Sequence, residues 1–145
     1  MTRTAGGRGD IGARDEQAVL FANEAFYRAF DDRDFAAMDA LWAREAQVAC
    51  VHPGWGPLAG RAAVLESWES LLANPRSPTP QCRDPRAFTY GEVAFVICYE
   101  ELAGNFLLAT NVFVRERDAW RMVHHQSGPT ADRPRRAEPA RGPVH

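Results

Sequence analysis

The sequence predicts an α+β fold, in which helices from the first half of the chain lie across the concave face of a curved antiparallel sheet and enclose a pocket. Two observations carry this. Apolar residues recur at helical spacing through three separate stretches before residue 75, whereas residues 93–127 break into strand-like runs separated by turn residues. A single short strand-like run, residues 47–51, interrupts the helices. The resulting order of helix, helix, strand, helix and then consecutive antiparallel strands stacks helices on one face of a sheet.

Each element has its own signal. Between Asp15 and Asp31, the residues Ala18, Val19, Ala22, Ala25, Phe26, Ala29 and Phe30 form one amphipathic stripe, and Asp15 is suited to cap its start. The break Asp31-Asp32-Arg33-Asp34 precedes a shorter helix carrying Phe35, Met38, Leu41 and Trp42, with Asp34 as its cap. After strand 47–51, Pro53-Gly54-Trp55-Gly56-Pro57 forces a turn. Gly60 then opens a third helix bearing Val64, Leu65, Trp68, Leu71 and Leu72, which Asn74-Pro75 stops. Strands are expected at 93–101, 106–116 and 119–127, turning at Ala103-Gly104-Asn105 and Arg117-Asp118, with a further strand at 82–90.

The 145 residues, 46% of them hydrophobic and including four Trp and eight Phe, suffice for one core and one domain. That domain is placed at residues 15–128. Residues 1–14 and 129–145, the latter rich in Pro and Arg and ending in His145, read as mobile extensions. The net charge of −2 and the scatter of the 17 arginines leave no basic footprint for nucleic acid. No run is long enough to span a bilayer, and the N-terminus lacks a signal-peptide core, so a cytoplasmic protein is expected. Cys50, Cys82 and Cys98 are odd in number, and two of them sit in apolar strands, which favours buried thiols over a disulfide framework.

The histidines carry the candidate chemistry. His52 shares strand parity with Val48 and Cys50 and would face the core with them. An imidazole there needs little tuning to act as acid or base near neutral pH, and the competing reading is a ring that only bonds a backbone carbonyl at the turn. Trp120, Met122, His124 and Gln126 share one face of the last strand, so His124 is the inward candidate and His125 is left for the outer face or a dimer contact. Asn111, on a face with Leu107, Ala109 and Phe113, must find a hydrogen-bond partner in ligand, Tyr27, Tyr99 or backbone. Of Glu100 and Glu101 at most one approaches the cavity, and both read more simply as solvated rim residues. Tyr27, Trp55, Trp68 and Phe95 are candidates for an aromatic wall around a flat apolar ligand, or plain core. No HExxH or paired CxxC supports a metal site, and no GxSxG, GxxxxGK[ST] or GxGxxG supports a nucleophile elbow, phosphate cradle or dinucleotide fold. No cofactor is expected.

The element order, with Asn23-Glu24-Ala25-Phe26-Tyr27-Arg28-Ala29-Phe30, Asp34-Phe35-Ala36-Ala37-Met38, Val51-His52-Pro53-Gly54-Trp55 and the Trp120–Gln126 strand, resembles the nuclear transport factor 2-like superfamily. The SnoaL-like, ketosteroid-isomerase-related branch is the nearest flavour. The resemblance implies a cone-shaped α+β barrel, commonly dimeric through the outer sheet face, that binds a small apolar organic molecule. It says little of activity, since isomerases, dehydratases, cyclases, hydrolases and assembly modules share the fold. It places His52 where ketosteroid isomerases carry their general-base aspartate, and Asn111 where they carry the protonated aspartate of the oxyanion hole. Their tyrosine corresponds to Phe26, with Tyr27 one residue away; Phe26 can donate nothing, so the pattern departs from steroid isomerisation. The implied chemistry is cofactor-free isomerisation or dehydration with His52 as proton acceptor and Asn111 or His124 orienting the ligand. The alternative is a non-catalytic dimerisation or ligand-binding module with a vestigial pocket.

Overall fold

Helix α1 (Gly6–Asp31) presents Val19, Ala22, Asn23, Phe26, Tyr27 and Ala29 as one buried stripe, the i, i+3, i+4 pattern of a helix laid on a sheet. The structure is a computed structural model that describes the backbone of residues 6–135 and the side chains of residues 11–135. Expectations for residues 1–5 and 136–145, His145 included, lie outside the described residues. Helix α1 starts at Gly6, so the stretch expected to be extension is helical from there, and Asp15 is no cap but an ion-pair partner of Arg115 on the sheet. Once the Val19–Phe30 turns dock, propagation adds residues one bond at a time, and no proline before Asp15 stops it.

Helix α2 (Phe35–Leu41) is capped as expected, Asp34 Oδ1 accepting from the Ala37 amide at 3.0 Å. Strand β1 (Ala49–Val51) and the two-residue β2 (Leu58–Ala59) flank the proline-rich turn, and α3 (Arg61–Ala73) follows Gly60, whose φ of 93° favours glycine. Four long strands complete the chain: β3 (Gln81–Tyr90), β4 (Val93–Leu102), β5 (Asn105–Glu116) and β6 (Ala119–Pro129). The β4–β5 and β5–β6 turns hold both central residues at positive φ, Ala103 with Gly104 and Arg117 with Asp118, the primed geometry that matches strand twist.

The sheet order is β2-β1-β6-β5-β4-β3. It is not wholly antiparallel, as had been expected, because β1 runs parallel to β6, Cys50 lying opposite His125. A crossover through α3 and the β3–β5 meander separates β1 from β6 in sequence, which permits the parallel pairing. The sheet is curved and unclosed, and the three helices cover its inner face. Trp42, Trp68, Phe26, Phe113, Met38 and Met122 fill the space between, each essentially inaccessible to solvent.

One irregularity sets the site. Val112 pairs with His124 but Phe113 pairs with Met122, which leaves Val123 as an extra residue on β6. Beyond that bulge the parity of β6 reverses, so Met122, His125 and Ser127 all face inward.

Candidate active site

A cavity of about 370 Å3 opens at the end of the cone between the β1–β2 turn, α3 and the sheet. Its walls include Phe30, Trp55, Leu71, Leu102 and Leu107, and its polar end is made by His52, Glu100, His125 and Ser127. A larger, more open groove of about 600 Å3 lies on the other side of α1, against β3, and meets the same polar cluster through Asn23 and Tyr27.

His52 ends β1 facing inward as its parity requires, and its ring packs edge-on between Trp55 and Trp68 at 4.9 and 4.8 Å. Its Nε2 lies 2.9 Å from Ser67 Oγ on α3. Ser67 Oγ already donates to the Val64 carbonyl at 2.6 Å, so it can only accept from His52; the hydrogen therefore sits on Nε2, and Nδ1 keeps its lone pair. Burial pushes the imidazole down to about 4, which leaves it neutral at pH 7.

The same reasoning fixes His125. Asn111 Nδ2 donates to Asn23 Oδ1 at 2.8 Å and to the Tyr27 hydroxyl at 3.2 Å, so Asn111 Oδ1 is free only to accept. It does so from His125 Nδ1 at 2.6 Å, which places the hydrogen on Nδ1 and the lone pair on Nε2. Burial first, then the neighbouring His52 and His124, hold His125 down to about 3. The ring is locked between Phe26 and Trp68, at 5.0 and 5.8 Å, and 6.4 Å from the His52 ring.

Glu100 is the third member. Its carboxyl is 2% exposed, accepts from the Tyr27 hydroxyl at 2.7 Å, and stands 4.0 Å from His125 Nε2, too far for a direct hydrogen bond. Burial raises its pKa toward the neutral form. Tyr27, also buried, is pushed well above its ordinary value and stays a phenol. Ser127 Oγ sits beside Glu100, near enough to favour its ionised form a little, yet has no partner in hydrogen-bond geometry among the described residues.

Several expectations are thereby corrected. His124 does not face inward: the Val123 bulge turns it away, and its Nδ1 bonds the Ala49 carbonyl at 3.0 Å, stitching β6 to β1. His125, assigned to the outer face, takes the inner position. Phe95 is not part of the cavity wall, because the inward residues of β4 are Ala94, Val96, Cys98 and Glu100; it stacks outside with Phe88 and Tyr90 at 4.8 and 5.9 Å. Glu100 is buried rather than a solvated rim residue. Phe26 and Trp68 form the layer behind the histidines, Trp55 stands at the mouth and remains 46% exposed, and Tyr27 and Asn111 share a bond as one of the weighed alternatives required.

Sequence reasoning passed over Asn23, Ser67 and Ser127. Asn23 carried a signal, an amide on the stripe of Val19, Phe26 and Tyr27; the two serines carried none. Among the described residues no group of three or more His, Cys, Asp or Glu could hold a metal ion, and no helix is long and apolar enough to cross a membrane.

Comparison with known proteins agrees with this architecture. A proposed dehydratase of the nuclear transport factor 2-like family from Streptomyces avermitilis superposes with a TM-score of 0.74 and 34% identity, over 83% of this chain and 99% of that one. A proposed calcium/calmodulin-dependent protein kinase type II association domain from Thiobacillus denitrificans gives 0.67 and 38%, over 75% and 92%. The F-box protein SKIP8 of Arabidopsis thaliana is 29% identical over 113 residues, 77% of this chain; the chain spans about half the length of that curated relative. The family profile of the SnoaL-like domain matches residues 19–132, and the chain belongs to that family, on the nuclear transport factor 2-like fold.

Proposed function

We propose that the protein binds a small, largely apolar organic molecule in the 370 Å3 cavity and performs cofactor-independent acid-base chemistry on it, of isomerase or dehydratase type. The observation that carries this is His125: a neutral imidazole lining the cavity, whose tautomer Asn111 fixes and whose Nε2 lone pair stands 4.0 Å from Glu100 on the same wall. A general base needs that lone pair and that fixed aim. His52 lines the same cavity as a second neutral imidazole and keeps its place as a candidate proton acceptor, while Asn111 acts by positioning His125. The proposed dehydratase among the similar structures fits this reading.

Dimerisation is the companion proposal. Phe88, Tyr90, Val93 and Leu108 are exposed on the outer sheet face around Phe95, and the kinase association domain among the similar structures is in keeping with an assembly role. If the cavity is vestigial, this face carries the function. Three free cysteines suit a reducing, cytoplasmic compartment.

Native mass spectrometry of the protein as purified from cells tests both parts. A retained small molecule that is lost in His125→Gln and His52→Ala supports the acid-base reading. An empty dimer with identical behaviour in both variants, and no turnover, moves the function to the outer face.

A further inference from the structure

The polar end of the cavity contains a pair that the acid-base reading leaves half used. His125 Nε2 and Glu100 Oε2 stand 4.0 Å apart, side by side rather than on opposite walls. The gap is too long for them to bond each other, yet short enough for one ligand oxygen or carbon to sit within reach of both. The Tyr27 hydroxyl donates to that same Oε2, so the carboxyl is held in place and, when neutral, carries its proton on Oε1, and Ser127 Oγ is left over as an unspent polar group on the same wall.

The second observation is about charge. Among the described residues no arginine lines this cavity, and the only ionisable lining groups are His52, Glu100 and His125. A ligand carboxylate or phosphate would enter an apolar space with no cation to meet it, a heavy desolvation cost. A ligand ammonium would have only Glu100, whose burial disfavours its charged form. With both imidazoles neutral as well, the site is matched to an uncharged molecule carrying oxygen functions at one end. At roughly 30 Å3 per water-sized unit, the volume holds about a dozen such units.

Resting on the acid-base reading above, we propose that Glu100 is a catalytic acid paired with His125, and that the substrate class is an uncharged β-hydroxy carbonyl compound, dehydrated on one face. His125 Nε2 removes the proton from the carbon between the carbonyl and the carbinol carbon. The electrons of that C–H bond pass to the carbonyl as an enolate; they then form the new C=C bond as the C–O bond breaks, and the departing oxygen takes the Glu100 proton and leaves as water. The proton on His125 then returns to the Glu100 carboxylate through water in the 4.0 Å gap. No external oxidant, reductant or cofactor enters the balance. Because acid and base are neighbours, hydrogen and hydroxyl leave from the same side of the substrate.

The probes are the aldol adduct of benzaldehyde and acetone, its ring analogue bearing a para-carboxylate, and a panel of neutral alicyclic β-hydroxy ketones. Two readouts separate the steps: deuterium incorporation next to the carbonyl in D2O reads the base alone, and enone formation reads base and acid together. Wild-type protein is expected to do both with the neutral adducts and neither with the carboxylate. In Glu100→Gln, where the Tyr27 hydroxyl can still donate to the amide oxygen, exchange persists while enone formation falls about a hundredfold or more. Glu100→Asp, which keeps the acid but withdraws it, is expected to retain part of the rate, and circular dichroism checks that both variants fold. A stereospecifically deuterated adduct should lose label from the hydroxyl's own face. Exchange without dehydration by the wild-type protein, undiminished dehydration in Glu100→Gln, loss from the opposite face, or equal turnover of the carboxylate would overturn this pairing and leave His125 as a base. Failure of every neutral adduct to exchange or dehydrate would overturn the acid-base reading as well.

Discussion

Lowering the pH should unfold this protein earlier than an ordinary domain of its size, and two buried histidines set the amount. Burial pushes His52 down to about 4 and His125 down to about 3, whereas in the unfolded chain each titrates near 6.5. Both shifts depress a base. The unfolded state therefore binds more protons as pH falls through 6.5, and the stability from keeping the rings neutral, complete above that value, is lost toward the folded values. Each histidine costs about 1.4 kcal/mol per pH unit over that range, so by pH 4.5 the pair removes about 5 kcal/mol. Total stability of a domain is of the order of 5–15 kcal/mol, which makes this loss a large share of it. Glu100 works the other way: its raised carboxyl binds a proton in the folded state first, so stability rises as pH falls through its folded value. Urea unfolding at several pH values between 7 and 4.5, in wild type and His125→Gln, isolates the histidine from that offset. The wild-type slope minus the variant slope should be about 1.4 kcal/mol per pH unit, and two-dimensional NMR should show the His125 ring neutral at pH 5. Parallel slopes, or a folded His125 that titrates near 6.5, would refute the account of a dry, locked imidazole.

Other perturbations follow from the same contacts. Asn111→Leu strips partners from His125 Nδ1 and Asn23 Oδ1, two buried groups worth about 1–3 kcal/mol each; urea unfolding should show a loss of about 2–6 kcal/mol, and His125 should no longer hold one tautomer by 15N NMR. Arg33→Ala removes a guanidinium that binds the Asn74, Pro75 and Ser77 carbonyls and ties the α1–α2 corner to the loop after α3, so a loss of about 1–3 kcal/mol is expected in the same assay. On the proposed outer-face dimer, Phe95→Glu should leave the monomer fold intact by circular dichroism while sedimentation shifts from dimer to monomer; an unchanged dimer would move the interface elsewhere.

Most of the fold was legible because it rests on local rules. The Asp34 cap, the Gly60 helix start and the two primed turns are each written in a few adjacent residues. The helix stripe from Val19 to Phe30 repeats often enough to fix its buried face. What escaped were long-range facts. The parallel pairing of β1 with β6 depends on a crossover of some seventy residues, and nothing within Ala49–Val51 announces it. The early start of α1 reflects docking energy transmitted along the helix rather than the propensity of Gly6–Arg14.

The site shows the limit of parity most clearly. Trp120 and Met122 do set the inward register at the start of β6, and strict alternation from them selects His124. The wrong histidine follows from one residue, since Val123 has no partner on β5 and every side chain after it changes face. On β5 there is no such break, and Asn111 lies inward with Ala109 and Phe113 as alternation demands. On β4 it also holds, and there the error lay in the weighing of Glu100: parity with Ala94, Val96 and Cys98 already faced it inward, and only the habit of leaving carboxylates in water argued otherwise. A carboxyl buried there needs a donor, and Tyr27, next to Phe26 on the α1 stripe, is the residue that supplies it. The bulge on one strand and the phenol on one helix thus converge to put an imidazole and a carboxyl side by side, which neither strand pattern could do alone.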